Sequence, residues 1–239
     1  MLLRDILHPV NLPTFLYKAV RGRKLMHIKS CNSDLYKDLM NDAIIDCFLT
    51  KIENRRFDPL RQKLYTIDEL VDYVDTNSDN RAPQSCKTKK GFNKRRKAGY
   101  TVLVKDIGRF SDEGRELHNL LRDLDNIFQT NYNLWCNLYI SNKKSALKPH
   151  VDQHSVIVLQ YSGKKIWDFF GQIQDWKTNE PVNQIELNQG DFLYFPKWAP
   201  HVAHPIPGVK TAHATIELPS SYDAHAKYPL KWLKSREPV

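Results

Sequence analysis

Residues Pro149 to Phe170 read PHVDQHSVIVLQYSGKKIWDFF. His150 and Asp152 stand one residue apart, Val156, Ile157, Val158 and Leu159 form an apolar run, Ser162-Gly163 marks a turn, and Lys165, Ile166 and Trp167 return from it. The pattern predicts a β-hairpin with an H-x-D pair at its entrance. Side chains two apart on a strand leave the same face, so the His150 imidazole and the Asp152 carboxylate are expected to grip one ion together. Such pairs also arise by chance in surface turns, so the weight of this one rests on a third ligand.

That ligand is sought in GDFLYFPKWAPHVAHP, from Gly190 to Pro205. Gly190-Asp191 reads as a turn, Phe192 to Phe195 as a strand, and His201 follows a proline-punctuated corner, with His204 competing for the same role. Two histidines and one carboxylate around a metal leave three octahedral positions open, the arrangement of non-haem Fe(II) oxygenases. His154 lies two residues beyond Asp152, but a fourth protein ligand would close a site that needs open positions. Lys165 is expected to face the metal-bearing end of the returning strand, because the turn resets its register. A buried cation there needs an anion. Lys164, its neighbour, is expected to be solvated.

Four segments carry a family resemblance: Asn137-x-Tyr139, the Pro149–Phe169 stretch, GDFLYFPKWAPHVA from Gly190, and TAHATI from Thr211 to Ile216. Together they resemble the JmjC, or cupin-type, 2-oxoglutarate oxygenases, and within them the ribosomal-oxygenase group of protein hydroxylases. FLYKAVRGRKLMHI, from Phe15 to Ile28, is similar to that group's N-terminal segment. The resemblance implies Fe(II) held by His150, Asp152 and His201, with His201 preferred to His204 because FPKWAPHVA matches the family's corner. It also implies 2-oxoglutarate as co-substrate with O2, Lys165 on its distal carboxylate, and Asn137, Tyr139 and Thr211 as further contacts. His213 shares a face with Thr211 and Thr215 and reads as a packed, hydrogen-bonded histidine. The activity implied is hydroxylation of a protein or peptide side chain, with a ribosomal or other ribonucleoprotein component as partner. Relatives also demethylate N-methyl-lysine or hydroxylate a modified tRNA base, and both stay open. So do two other classes, a non-catalytic cupin binding module and a zinc or manganese cupin isomerase.

Composition bounds the class more than the chemistry. A chain of 239 residues with 41% hydrophobic and 11% aromatic content is globular and long enough for a sizeable core. No apolar run reaches bilayer length, and MLLRDILHPV, interrupted by Asp5, does not read as a signal peptide. Cys31, Cys47, Cys86 and Cys136 form no C-x-x-C pair, which disfavours a zinc knuckle or disulfide framework and fits a reducing, cytoplasmic setting. The net charge of +9 suits an acidic partner, nucleic acid included.

Along the chain, Ser33 is expected to cap a helix carrying Leu35, Leu39, Ile44, Ile45 and Phe48. Thr66 and Glu69 form a capping box for a second helix running through Leu70, Val71 and Val74. Residues 77–99 read as a loop broken by Pro83 and Gly91, with Lys87, Lys89, Lys90, Lys94, Arg95, Arg96 and Lys97 offering a docking segment, 87–97, for an acidic macromolecule. Tyr100 to Lys105 alternates as a strand, Ser111 caps a helix reaching Phe128, and strand follows strand from Trp135. The expected fold is mainly β with N-terminal helices (α+β), a double-stranded β-helix or jelly-roll. Residues 1–99 would pack on a 100–218 catalytic core, followed by a short tail, 219–239, not expected to supply the helical dimerisation and winged-helix regions of the family.

Overall fold

The structure, a computed structural model, describes residues 2–30, 32–53, 57–58, 63–64, 66–74, 83–107, 115–130, 134–141, 147–172 and 180–218. Short helices α1 (Leu3–Ile6) and α2 (Leu12–Thr14) run into a π-helix, Phe15–Arg21, and then strand β1 (Met26–Ile28). Helix α3 (Asp42–Glu53) follows, then the small pair β2 (Phe57–Asp58) and β3 (Lys63–Leu64), α4 (Ile67–Leu70), β4 (Val71–Val74), β5 (Pro83–Ser85), α5 (Lys89–Lys97), β6 (Thr101–Val104) and α6 (Arg115–Phe128). The remainder is β7 (Trp135–Ser141), β8 (Ser155–Ser162), β9 (Lys165–Phe169), β10 (Asn183–Leu187), β11 (Phe192–Phe195), β12 (His201–Pro205) and β13 (Thr211–Leu218). No helix among the described residues is long and apolar enough to cross a membrane.

Two antiparallel sheets face each other. The larger has eight strands in the order β1-β11-β8-β13-β7-β6-β4-β5, and the smaller is β10-β9-β12. The predicted hairpin is therefore corrected: β8 pairs with β11 and β13, whereas β9 pairs with β10 and β12. Ser162-Gly163 is a corner that carries the chain from one sheet to the other. Gly163 holds φ +61°, and a Cβ there would lie 2.0 Å from the Lys210 carbonyl oxygen, so only glycine fits the corner.

The alternation of β8 divides the core. Ile157 and Leu159 join the cluster beneath the helices, while Val156 and Val158 pack with Trp167, Phe169, Leu193 and Phe195 between the sheets. A strand covered on both faces reads as an unbroken apolar run, which is why VIVL shows no polar alternation. Asp191, in the turn before β11, ties β1 to the jelly-roll by accepting from His27 Nε2 at 3.0 Å and from the Ser30 amide at 2.9 Å.

The N-terminal half departs from expectation in three places. Ser33 caps nothing: residues 33–39 are turns, and α3 starts at Asp42 with the Asn41 side chain accepting from the Ile44 amide at 3.0 Å. The Thr66/Glu69 box forms, the Thr66 amide donating to Glu69 at 2.9 Å, but its helix ends at Leu70 and Val71–Val74 is a strand; the β-branched residues there bond to β6 instead. The basic loop contains a helix, α5, which passes through Gly91. Thr88 caps it, and Phe92, 1% exposed, anchors it. Its cations are partly engaged at home: Lys89 pairs with Asp46 at 2.7 Å, Arg96 with Asp42 at 2.8 Å, and the Arg95 guanidinium lies 4.3 Å above the Tyr73 ring. Ser111, Cys31 and residues 219–239 lie outside the described residues.

Candidate metal centre and active site

His150 and Asp152 do not sit on a regular strand; they occupy the irregular run that enters β8 at Ser155. Position comes from a single antiparallel bridge. The His150 and His201 backbones exchange both hydrogen bonds, at 3.0 and 2.9 Å, and the Asp152 carbonyl accepts from the Trp198 amide at 2.8 Å. The two imidazoles are thereby cross-strand neighbours, with ring centroids 4.4 Å apart.

Each histidine is oriented by its own chain. Nδ1 of His150 lies 2.8 Å from the Lys148 carbonyl oxygen, and Nδ1 of His201 lies 2.8 Å from that of Ala199. A carbonyl only accepts, so both Nδ1 atoms carry the proton and both Nε2 lone pairs are free. These Nε2 atoms stand 3.9 and 3.7 Å from the Asp152 carboxylate oxygens, too far for hydrogen bonds. One ligand atom from each of the three residues lies within 4.8 Å of the other two. That separation suits a shared ion at roughly 2.0–2.2 Å from each donor, so the donor set fits a first-row metal. Burial, with the neighbouring His150, lowers the His201 pKa to about 4, although Asp152 opposes it; His201 is therefore neutral, the form that ligates. It packs against Phe195 at 4.6 Å and Trp167 at 5.8 Å between ring centroids.

His204 is turned outward, half-exposed, with Nε2 2.8 Å from Asp168. An offset of three along β12 puts it on the face opposite His201. His154 stands 3.5 Å from Glu217.

The cavity beside the triad is walled by Tyr139, Lys165, Trp167, His213, Thr215 and Glu217, among others. Lys165 is 3% exposed, and burial lowers its amine pKa to about 7. Its Nζ lies 3.5 Å from the Ser141 hydroxyl, and no carboxylate pairs with it among the described residues. Two more buried polar atoms in this wall, Trp167 Nε1 and His213 Nδ1, lack partners among the described residues. His213 is thus packed but not hydrogen-bonded at Nδ1; it stacks on Tyr139 with centroids 5.0 Å apart. Its pKa lies well below the ordinary value because of burial, with Lys165 adding to the effect. Lys164, by contrast, is solvated and 3.3 Å from Glu186.

The other expected contacts are placed differently. Asn137 stands behind the wall, donating to Glu217 at 2.6 Å and accepting from the Asp106 amide at 3.1 Å, so it orients Glu217. Thr211 shares the inner face of β13 with His213 but lies two residues further along, roughly 7 Å, where its hydroxyl accepts from Gln160 Nε2 at 2.7 Å. Glu217 and Trp167 were missed by sequence reasoning. The signal for Glu217 was present in the alternation His213, Thr215, Glu217. Burial raises the Glu217 pKa, Asp152 adding to it and His154 opposing it.

The two facing sheets and the clustered triad define a double-stranded β-helix of the JmjC/cupin type. Residues 115–225 match the JmjC domain family, and the chain as a whole resembles the ribosomal oxygenases. It is 23% identical over 238 residues to the bifunctional lysine-specific demethylase and histidyl-hydroxylase NO66 of Aedes aegypti, covering 89% of this chain and 34% of that protein. Ribosomal oxygenase 1 of Gallus gallus is 30% identical over 92 residues, 33% of this chain and 15% of the relative. The chain thus spans well under half the length of either. Among solved structures, YcfD, a ribosomal oxygenase from Escherichia coli, superposes in its complex with cobalt and 2-oxoglutarate with a TM-score of 0.58 at 15% identity, over 90% of this chain and 54% of the other.

Proposed function

We propose that this protein is an Fe(II)- and 2-oxoglutarate-dependent oxygenase that hydroxylates a side chain of a protein or peptide. The observation that carries the reading is Lys165, a buried ammonium with no carboxylate partner among the described residues, on the wall of the cavity that holds the metal triad. A carboxylate-bearing co-substrate supplies the missing anion. The ribosomal-oxygenase relatives favour a protein substrate, a ribosomal protein among the candidates.

His150, Asp152 and His201 would hold the iron, which with 2-oxoglutarate and O2 supplies the oxidising chemistry for breaking a substrate C–H bond. Lys165 binds the distal carboxylate of the co-substrate, and Trp167 Nε1 offers a second donor on the same wall. Tyr139, stacked on His213, fixes the width of the cavity. Phe195 and Trp167 keep water from the His201 side of the metal. Glu217, held by Asn137, faces the space left for the substrate and accepts a hydrogen bond from it.

The test is incubation of the full chain with Fe(II), 2-oxoglutarate and either ribosomal proteins or tRNA, followed by succinate assay and mass spectrometry. A gain of about one oxygen atom on a protein, with matching succinate, is the expected result. Oxygen gained on tRNA instead, loss of a methyl group from lysine, or no succinate at all would overturn the assignment.

A further inference from the structure

A second cavity, of about 560 Å³, opens beside α5 and lies outside the metal centre. Lys37, Arg96, Lys97 and Lys210 rim it, with Asp42 as the carboxylate among its lining residues, and Tyr100 and Tyr161 stand in its walls. Asp42 is engaged with Arg96 at 2.8 Å. Lys37, Lys97 and Lys210 are exposed and form no ion pair among the described residues. They come from three separate elements, the turn before α3, the end of α5 and the approach to β13, so the fold brings their charge together where the sequence scatters it. Exposed ammonium groups hold a monoanion weakly, because water screens each pairing. Three around one opening favour a multiply charged anion, and lysine accepts phosphate as a point charge without a fixed bidentate geometry. The volume falls in the range of small-molecule sites, more than a bare phosphate needs, and the tyrosine walls suit a flat ring beside the charge.

From these observations we infer that this cavity binds the phosphates of a nucleotide, free or as part of an RNA strand, with its base between the tyrosine walls. The site does not depend on the oxygenase reading. It also narrows the expectation for the basic segment 87–97: Arg95 and Lys89 serve the fold, whereas Lys97 and the paired Arg96 face this cavity together with Lys37 and Lys210, which lie far away in sequence.

The experiment is calorimetric titration of the full chain, without added metal, using ATP, inorganic pyrophosphate, poly-glutamate and a single-stranded RNA decamer as probes. The wild type is compared with Lys37→Glu/Lys210→Glu and with a control, Lys18→Glu/Lys24→Glu, which changes net charge equally at a separate basic patch that shares no residue with this cavity. All four lysines are solvent-facing or half-exposed, so neither variant threatens folding. ATP binding tighter than pyrophosphate, weakened roughly tenfold by the cavity variant and less than twofold by the control, is expected. ATP bound with RNA excluded marks a free nucleotide as the ligand, and RNA displaced by ATP marks a strand; either supports the site. Equal losses in the two variants, tighter binding of poly-glutamate, pyrophosphate matching ATP, or no binding of ATP or RNA at millimolar concentration would overturn it.

Discussion

Replacing Lys165 with methionine is expected to stabilise the free protein and weaken its hold on 2-oxoglutarate, two effects of opposite sign from one buried charge. The amine pKa falls from 10.5 to about 7 because burial penalises the charged form, a penalty of roughly 4–5 kcal/mol by order of magnitude. The folded state binds the proton less readily than the unfolded chain, so between about pH 7 and pH 10.5 the unfolded state carries more protons and stability rises with pH. Below about pH 7 the amine is charged in both states and the whole penalty stands. Near pH 9 the folded amine is neutral and the remaining cost is roughly 2 kcal/mol. Methionine, similar in length and apolar, removes the cost at either pH. Lys165→Met should therefore raise stability in urea more at pH 6 than at pH 9, by roughly 2–3 kcal/mol. In the same variant the half-saturating 2-oxoglutarate concentration should rise about ten- to hundredfold, the worth of a charge-assisted hydrogen bond of roughly 1.5–3 kcal/mol. Binding needs the charged amine, so wild-type affinity should fall about tenfold per pH unit above pH 7. A variant that loses stability at pH 6, or binds 2-oxoglutarate as well as the wild type, would refute the desolvated-cation argument.

His150→Ala, Asp152→Ala and His201→Ala should each abolish iron binding, read by metal analysis after dialysis, whereas His204→Ala, outward and paired with Asp168, should change affinity by less than about tenfold. Lys164→Ala should leave the 2-oxoglutarate requirement unchanged and stability within about 0.5 kcal/mol, measured by succinate release and urea melts. Phe92→Ala removes the buried anchor of α5 and should cost about 3–5 kcal/mol in denaturant unfolding. Gly190→Ala, at φ +94° with a Cβ 2.4 Å from the Asn32 carbonyl oxygen, should destabilise by more than about 1 kcal/mol.

What could be read from the sequence was local. The Thr66/Glu69 box, the Gly190-Asp191 turn and the strand at Phe192–Phe195 are decided by neighbours within a few residues. The VIVL run showed a strand but not its partners, because pairing with β11 and β13 is set by residues far along the chain. The hairpin reading failed for the same reason: a tight glycine turn looks alike whether it reverses a strand within one sheet or carries it into another. Lys165 nevertheless reaches the cavity, since β9 faces β8 across the interior instead of lying beside it. Helix α5 was hidden by its charge. Its lysines and arginines resembled a solvated loop, and the carboxylates that receive some of them, Asp42 and Asp46, lie on α3.

The inner faces of these sheets carry the conflict that marks the site. At the β9–β11 end the interior is filled by Val158, Phe169, Leu187 and Leu193. Toward β7 and β13 it holds Asn137, Ser141, Lys165, His213 and Glu217. Polar interiors are tolerated when each group has a partner, and several of these groups do: Thr101 meets Ser141 at 2.7 Å, Gln160 meets Thr211, and Asn137 meets Glu217. Two donors without such satisfaction meet on the wall of the metal cavity, where among the described residues Lys165 lacks an anion and Trp167 Nε1 lacks an acceptor. A fold that needed only stability would fill those positions with apolar side chains, since an uncompensated buried cation destabilises. Both donors are open to an acceptor carried by a ligand, and a ligand that satisfies them stabilises the fold increasingly as its concentration exceeds its Kd.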